Sequence, residues 1–575
     1  MSARRGGWVF VALLFVLGTA ALLAAFRLRH TSMTGSSAVL IFDVPRELEE
    51  SEAPFRPLSF EVVPRTQPTT YRVVDGLRRA ARDSRIEALV LQIDQIDWGW
   101  AKVSEVRDAV LAFRAAGKPV YAWLSSGGEA EYLLASAAGT IAMPPSATLQ
   151  LDGLTASALF LKGTFEKLSI TPNFAHAGRY KSAVEQYTRS EMSEPSRAAM
   201  EALLDDEYRL LVDSLASARG LPPGAVRRLL DNGPYGAGAA YRQGLVDTLL
   251  YAAELDSLAL RGVGESAVTQ PFWRYLQGLS ARGRARIALV QASGTIYPGR
   301  SRFVAGEGRV LGSETLIEAL HEARTRRSIR AIVLRIDSPG GSLEASDEIW
   351  REVERCRRAK PVVVSMSDLA ASGGYYIAAG ASEIVAQPAT LTGSIGVFGG
   401  KLNVLGLYRK LGMNVETLKR GRHAEMMSPY ENFTPDEEQR FQGQLEDGYR
   451  LFLRRVSAGR HMPVAVADSV GQGRVWSGLS ARGLGLVDRL GNLWAALGAA
   501  RERAGIPEDE ELAVEVLPKV EHSFFERALA DWLQEDDGDN ARAVSLPPVV
   551  GALLAAARFP AGASLALMPY RVVIR

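Results

Sequence analysis

Ile86-Glu-Ala-Leu-Val-Leu-Gln-Ile-Asp94 and Ile329-Arg-Ala-Ile-Val-Leu-Arg-Ile-Asp337 are one pattern written twice, 243 positions apart. Each is a continuous apolar run closed by an acid, the mark of a strand buried on both faces. The same spacing pairs Ile141 with Ile384, Pro145 with Pro388, Gly153 with Gly396, Lys167-Leu168 with Lys410-Leu411 and Gly178-Arg179 with Gly421-Arg422. Slips of one residue occur between these points, as at Lys118-Pro119 and Lys360-Pro361. A match held over such a span is a duplicated domain. Within the second copy, Leu316, Ile317 and Leu320 suit one helical face, Ala331 to Ile336 a strand, Ile349 and Val353 another helix, and Pro361 to Val364 a strand. Strands alternating with helices predict βαβ units and a mostly parallel sheet, hence an α/β fold.

The chain has 575 residues, too many for one core and suited to two domains. A net charge of +2 with interspersed signs gives no case for nucleic-acid binding. Cys356 is the only cysteine, so no internal disulfide forms, and its setting Glu354-Arg-Cys-Arg-Arg358 reads as a structural helix position. The six histidines form no ligand cluster, and neither a metal nor an organic cofactor is expected. Trp8 to Phe26 is a stretch of 19 residues without charge, flanked by Arg4, Arg5, Arg27 and Arg29. That length predicts a single transmembrane helix. The division expected is an anchor at 1–30, a first repeat at 37–265, a linker at 266–286, a second repeat at 287–515 and a tail of unassigned role at 516–575.

The copies differ where chemistry would sit. The second carries Asp337-Ser-Pro-Gly-Gly-Ser342 at one strand end and Ala370-Ala-Ser372-Gly-Gly-Tyr-Tyr-Ile377 at the next. Strand ends are where open α/β sheets bind ligands. Paired glycines let main-chain N–H groups meet an incoming oxygen, and a serine between small residues admits a peptide backbone. Either element alone reads as a plain turn or a helix cap. A nucleophilic serine needs a base, and the second copy offers none. The first copy offers Gly178-Arg-Tyr-Lys181-Ser-Ala-Val-Glu185, where Lys181 would favour its neutral form if packed against the sister domain. Only ten of the 67 basic residues are lysines, and arginine cannot serve as a base because it does not lose its proton.

These motifs resemble the long, two-domain form of the signal peptide peptidase A family, membrane-anchored Ser/Lys peptidases similar in fold to the Clp protease subunit and to crotonases. The resemblance rests on Ala371-Ser372-Gly373-Gly374 and Tyr180-Lys181-Ser182-Ala183. It implies tandem ClpP/crotonase-like domains with Ser372 as nucleophile, Lys181 as general base, the N–H groups of Gly341 and Gly373 as oxyanion hole, and Ser394 as the residue that orients the lysine. It also implies apolar peptide substrates such as cleaved signal peptide remnants, a homotetrameric ring, and a single-pass protein of the inner membrane with its catalytic domains on the extracytoplasmic (periplasmic) side.

The copies diverge in a complementary way. Ala424 stands at the lysine position of the second copy, Glu129 at the serine position of the first, and Ile96, Asp97 and Trp98 replace its glycine loop. The expectation is therefore one active site divided between two copies. The rivals are a crotonase-like acyl-CoA enzyme, which needs no serine, and a silent membrane scaffold that binds peptides without cutting them.

Overall fold

The computed structural model describes residues 37–51, 69–264, 267–279, 283, 285–304, 308–519 and 563–568. The expected anchor lies outside these residues, and no helix among them is long and apolar enough to cross a membrane.

The first copy is built on a six-stranded sheet in the order Thr248–Leu249, Thr140–Met143, Val120–Leu124, Ile86–Ile93, Ala38–Asp43, Val268–Pro271, and every neighbouring pair is parallel. The second copy repeats the plan in an eight-stranded sheet. Its centre runs Leu512–Leu517, Ala285–Ser293, Ile329–Ser338, Val362–Ala371, all parallel, and the one antiparallel neighbour is Val475–Ser477 against Leu391–Gly393. Helices such as Trp100–Ala115 and Leu343–Ala359 return the chain between strands and cover the sheet faces. The apolar runs that open both copies are buried on both sides, as expected of central parallel strands.

The duplication extends to single hydrogen bonds. Lys118 Nζ donates to the carbonyls of Ala80 and Asp83, and Lys360 Nζ to those of Ala323 and Arg326. Tyr132 donates its hydroxyl to the Leu245 carbonyl and Tyr375 to that of Leu486. Asp247 accepts from the Ile141 N–H, and Asp488 from that of Ile384.

Two stretches depart from the expectation. Within the expected linker at 266–286, residues 267–279 are packed and not free. Val268–Pro271 adds an edge strand beside Ala38–Asp43, and Phe272, Tyr275 and Leu276 of the helix Phe272–Gln277 are buried in the first core. Pro271 and Gly278 punctuate that segment without releasing it. In the tail, Leu565–Leu567 is a strand of a third, seven-stranded sheet, in the order Arg302–Val304, Gly308–Gly312, Thr295–Tyr297, Gly340–Ser342, Leu565–Leu567, Val397–Asn403, Thr171–Ala177. That sheet takes its last strand from the first copy and the others from the second copy and the tail, so the halves interlock.

Where the halves meet, the two opening strands have diverged. Arg335 stands where the first copy has Gln92. Its guanidinium is 1 % exposed and is held by Glu50, Glu105, Ser365 and Ser367. Beside it Lys102 donates to Asp337 at 2.8 Å, while Asp368 accepts from the Lys102 N–H. Glu50, Glu105 and Lys102 belong to the first half and Arg335, Asp337 and Asp368 to the second. Burial opposes ionisation of Glu50, but Arg335 and Lys102 outweigh it and hold the carboxyl at about 2.

Candidate active site

Lys181 follows the strand Thr171–Ala177 and enters a short turn, Ser182–Val184. The strand lies antiparallel to Val397–Asn403 over seven residue pairs, from Val397 with Ala177 to Asn403 with Thr171. This pairing carries a first-copy lysine into the second copy. The following backbone is clamped by the turn at 471–473: the Tyr180 N–H donates to the Gln472 carbonyl at 2.6 Å. Gly473 has φ +78°, and a Cβ there would come within 2.5 Å of the Lys181 nitrogen.

Ser372 sits between the strand Val362–Ala371 and the helix Gly373–Ala378. Its backbone has φ 55° and ψ −111°. Among the described residues, five non-glycine residues have positive φ, and two of them are Ser372 and Ser394. Such conformations cost about 1–3 kcal/mol and persist where surrounding bonds impose them. Here the Ser372 N–H donates to the Gly393 carbonyl at 2.8 Å and the Ser394 N–H to the Arg474 carbonyl at 2.7 Å.

The three side chains converge. Lys181 Nζ lies 2.7 Å from Ser372 Oγ and 3.0 Å from both the hydroxyl and the carbonyl oxygen of Ser394. All three residues are fully buried. Burial alone shifts the lysine, and it lowers the pKa well below the ordinary value of 10.5. Lys102 shows the opposite state. It too is buried, but Asp337, Asp368 and Glu50 outweigh desolvation and raise it. One buried lysine is locked as a cation, and the other is driven toward the free amine.

The glycine loop lies beside this group. Gly340 has φ +96°, and a methyl group on it would fall 2.6 Å from the Gly373 nitrogen and 2.0 Å from the Ala566 carbonyl oxygen. Gly341 pairs with Ile296 on one side and Ala566 on the other. In the first copy, the carboxylate of Glu129 occupies the serine position and accepts from the N–H groups of Asp152 and Gly153 at 2.8 and 2.7 Å. That copy has no hydroxyl where the second has one.

Sequence reading missed three contributors. The Ser394 carbonyl is a main-chain ligand that residue type cannot signal. Gly473 carried a signal only as one of many glycines. The tail strand gave none. Cys356, as expected, is structural: its thiol is buried against the Leu320 carbonyl and is pushed up to about 12, chiefly by burial.

The chain is similar to known proteins. The model of peptidase family S49 matches residues 112–260 and 354–507, one stretch in each copy, and the Clp protease model matches residues 288–390. The chain is 36 % identical over 457 residues to the chloroplastic serine protease SPPA of Arabidopsis thaliana, covering 78 % of this chain and 67 % of that one. It is 32 % identical over 496 residues to Protease 4 of Haemophilus influenzae, covering 82 % and 80 %. A shorter match, 34 % identical over 179 residues, joins it to a putative signal peptide peptidase SppA of Enterococcus faecium, covering 31 % and 52 %. With its duplicated, ClpP-like α/β domains, the chain belongs to peptidase family S49 and is a serine protease of the signal peptide peptidase A type.

Proposed function

We propose that this protein hydrolyses peptides with a Ser372/Lys181 dyad divided between its two copies. The observation that carries the reading is the 2.7 Å contact between the buried Lys181 Nζ and Ser372 Oγ. The hydrogen-bonding capacity of the amine supports Lys181 as the acceptor of the serine proton. A neutral amine has two N–H donors and one lone pair. The two oxygens of Ser394 accept the donors, which leaves the lone pair facing the Ser372 hydroxyl. The Ser394 carbonyl can only accept, so it supports this orientation. Lys181 takes the hydroxyl proton as Ser372 attacks the peptide carbonyl, then returns it to the leaving amine. The same amine next activates water to hydrolyse the acyl-enzyme. The N–H groups of Gly341 and Gly373 stabilise the oxyanion. Neither step calls for a metal or an organic cofactor.

The substrates in this reading are apolar peptides, signal peptide remnants among them. Trp8 to Phe26 anchors the protein in the inner membrane by a single pass, the catalytic domains face the periplasm, and the chains assemble as a homotetramer. Turnover of a fluorogenic apolar peptide tests the chemistry. Ser372→Ala should lower kcat by about four orders of magnitude or more without altering thermal melting. Retained turnover in that variant would refute the assignment.

A further inference from the structure

A hollow of about 510 Å³ opens between two helices of the first copy, Trp100–Ala115 and Glu194–Arg219. Arg107 and Arg114, two turns apart on the first helix, line it from one side, and Ser214 and Ser217 from the other. Arg107 donates to the hydroxyl of Ser136 at 3.2 Å and to the carbonyl of Ser214 at 3.5 Å, and Arg114 to the Ala138 carbonyl at 3.2 Å. All of these partners are neutral. Among the described residues neither guanidinium forms an ion pair, and Asp108, the acid next to Arg107 in sequence, accepts from Asn492 instead. Burial, only partly offset by Asp108, lowers the pKa of Arg107. Arg335, buried in the join between copies, is held by two carboxylates, and Arg107 by none.

The sister copy shows what Arg107 lacks. The 243-residue spacing pairs Arg107 with Trp350 and Ser104 with Asp347. The ion pairs Arg219–Asp247 and Arg460–Asp488 occupy the same place in the two copies, so Ser214 answers to Arg455 in the helix Pro435–Arg460. There the Arg455 guanidinium stacks on Trp350 at 3.9 Å and is held by Asp347. In the first copy the arginine stands on the facing helix, and serines replace both its counterpart and the acid. A cation is kept, while its carboxylate and the indole that packed with it are gone. A partly buried charge without a counter-ion is costly, and a charge-assisted hydrogen bond is about twice as strong as a neutral one.

We propose that this hollow binds a phosphate group, free or carried on a lipid headgroup, with Arg107 and Arg114 as its cationic ligands and the hydroxyls of Ser214 and Ser217 as further donors. Guanidinium forks suit both carboxylate and phosphate. Donors that arrive from two facing helices suit a tetrahedral oxyanion, whose oxygens point to both walls, better than a flat carboxylate. Asp213 also lines the hollow, is exposed, and opposes an anion by its charge. None of these residues belongs to the dyad or to the residues that support it, so the site stands apart from the peptidase reading.

Isothermal titration calorimetry on the full chain, at constant ionic strength, compares inorganic phosphate, dihexanoyl phosphatidic acid and acetate. Wild type should bind inorganic phosphate at one site with a Kd of about 1 mM or below, and acetate at least about tenfold more weakly. Arg107→Trp combined with Ser214→Arg gives this copy the packing of its sister. That variant should bind phosphate at least about tenfold more weakly while its melting and its peptide turnover stay at the wild-type level. Arg107→Gln, which removes the charge and leaves the helix facing Ser214 intact, should lose binding to a similar degree, and Asp213→Asn should tighten it. Tighter binding of dihexanoyl phosphatidic acid than of inorganic phosphate supports the site with a lipid headgroup as its ligand, and weaker binding supports it with a free phosphate. No binding of either phosphate probe, acetate bound as tightly as phosphate, or phosphate binding unchanged in both Arg107 variants would overturn the proposal.

Discussion

Gly473 holds the backbone of Lys181 in place: a single methyl group added to it would press within 2.5–2.7 Å of the nitrogen, Cα and Cβ of the lysine. The contact is backbone to backbone, and Gly473 also has φ +78°, so neither partner can yield cheaply. A lysine base has to lie within hydrogen-bond reach of its serine, and displacement by an ångström is enough to lower the rate about a hundredfold. Gly473→Ala should therefore cut kcat by about two orders of magnitude while peptide binding persists. Steady-state kinetics with an anisotropy titration would check the split between the two.

The lysine should declare itself in pH profiles. Its folded-state pKa is lowered by burial, and the neutral form is the base, so kcat should rise with pH and level off below 10.5. Stability follows the same sign. Between the lowered folded value and 10.5 the unfolded chain binds the extra proton, so this group weakens the fold increasingly as pH falls through that window. Lys181→Met, nearly equal in shape, should melt higher than wild type at pH 7, and the gap should close toward pH 10.5. Melting curves across that range would show it.

Glu207 supplies an independent pH test. It is buried, one of its carboxylate oxygens has no partner among the described residues, and burial, with Asp206 and Asp368 nearby, pushes it up to about 8. A raised folded value means stability is present at low pH and lost as pH rises from the ordinary carboxylate range through 8. Glu207→Gln should melt like wild type near pH 4.5 and above it at pH 8.

The join between copies depends on Arg335. Removing one partner of a buried charge group leaves the others uncompensated, at a cost of about 3–5 kcal/mol. Arg335→Leu strands Glu50 and Glu105 and should lower the denaturation midpoint, with loss of peptide hydrolysis because the two halves of the site separate. Denaturant titration and activity measured on one preparation would test both.

Much of this molecule was readable in the chain because its signals are local. Continuous apolar runs marked the central strands, and the repeat spacing marked the duplication. Lys181 and Ser372 stood in short motifs, Ser394 came with the family resemblance, and these residues lie together. What escaped was set by distance. Phe272, Tyr275 and Leu276 look like any apolar trio between Pro271 and Gly278, and only packing against the first core makes them structural. Arg335 in place of Gln92 was visible as a mismatch, but its partner Glu50 lies 285 positions away. A three-residue strand such as Leu565–Leu567 has no periodicity to detect, and its meaning comes wholly from the two strands it joins.

The central claim is that one copy supplies the nucleophile and the other its base, and covalent labelling reaches it most directly. Wild-type enzyme treated with a fluorophosphonate should gain one adduct, mapped by peptide mass spectrometry to Ser372. Lys181→Arg should melt as a folded protein and take up label at least about a hundredfold more slowly, because a guanidinium cannot accept the serine proton. Labelling of Lys181→Arg at the wild-type rate, or an adduct on a residue other than Ser372, would contradict the account.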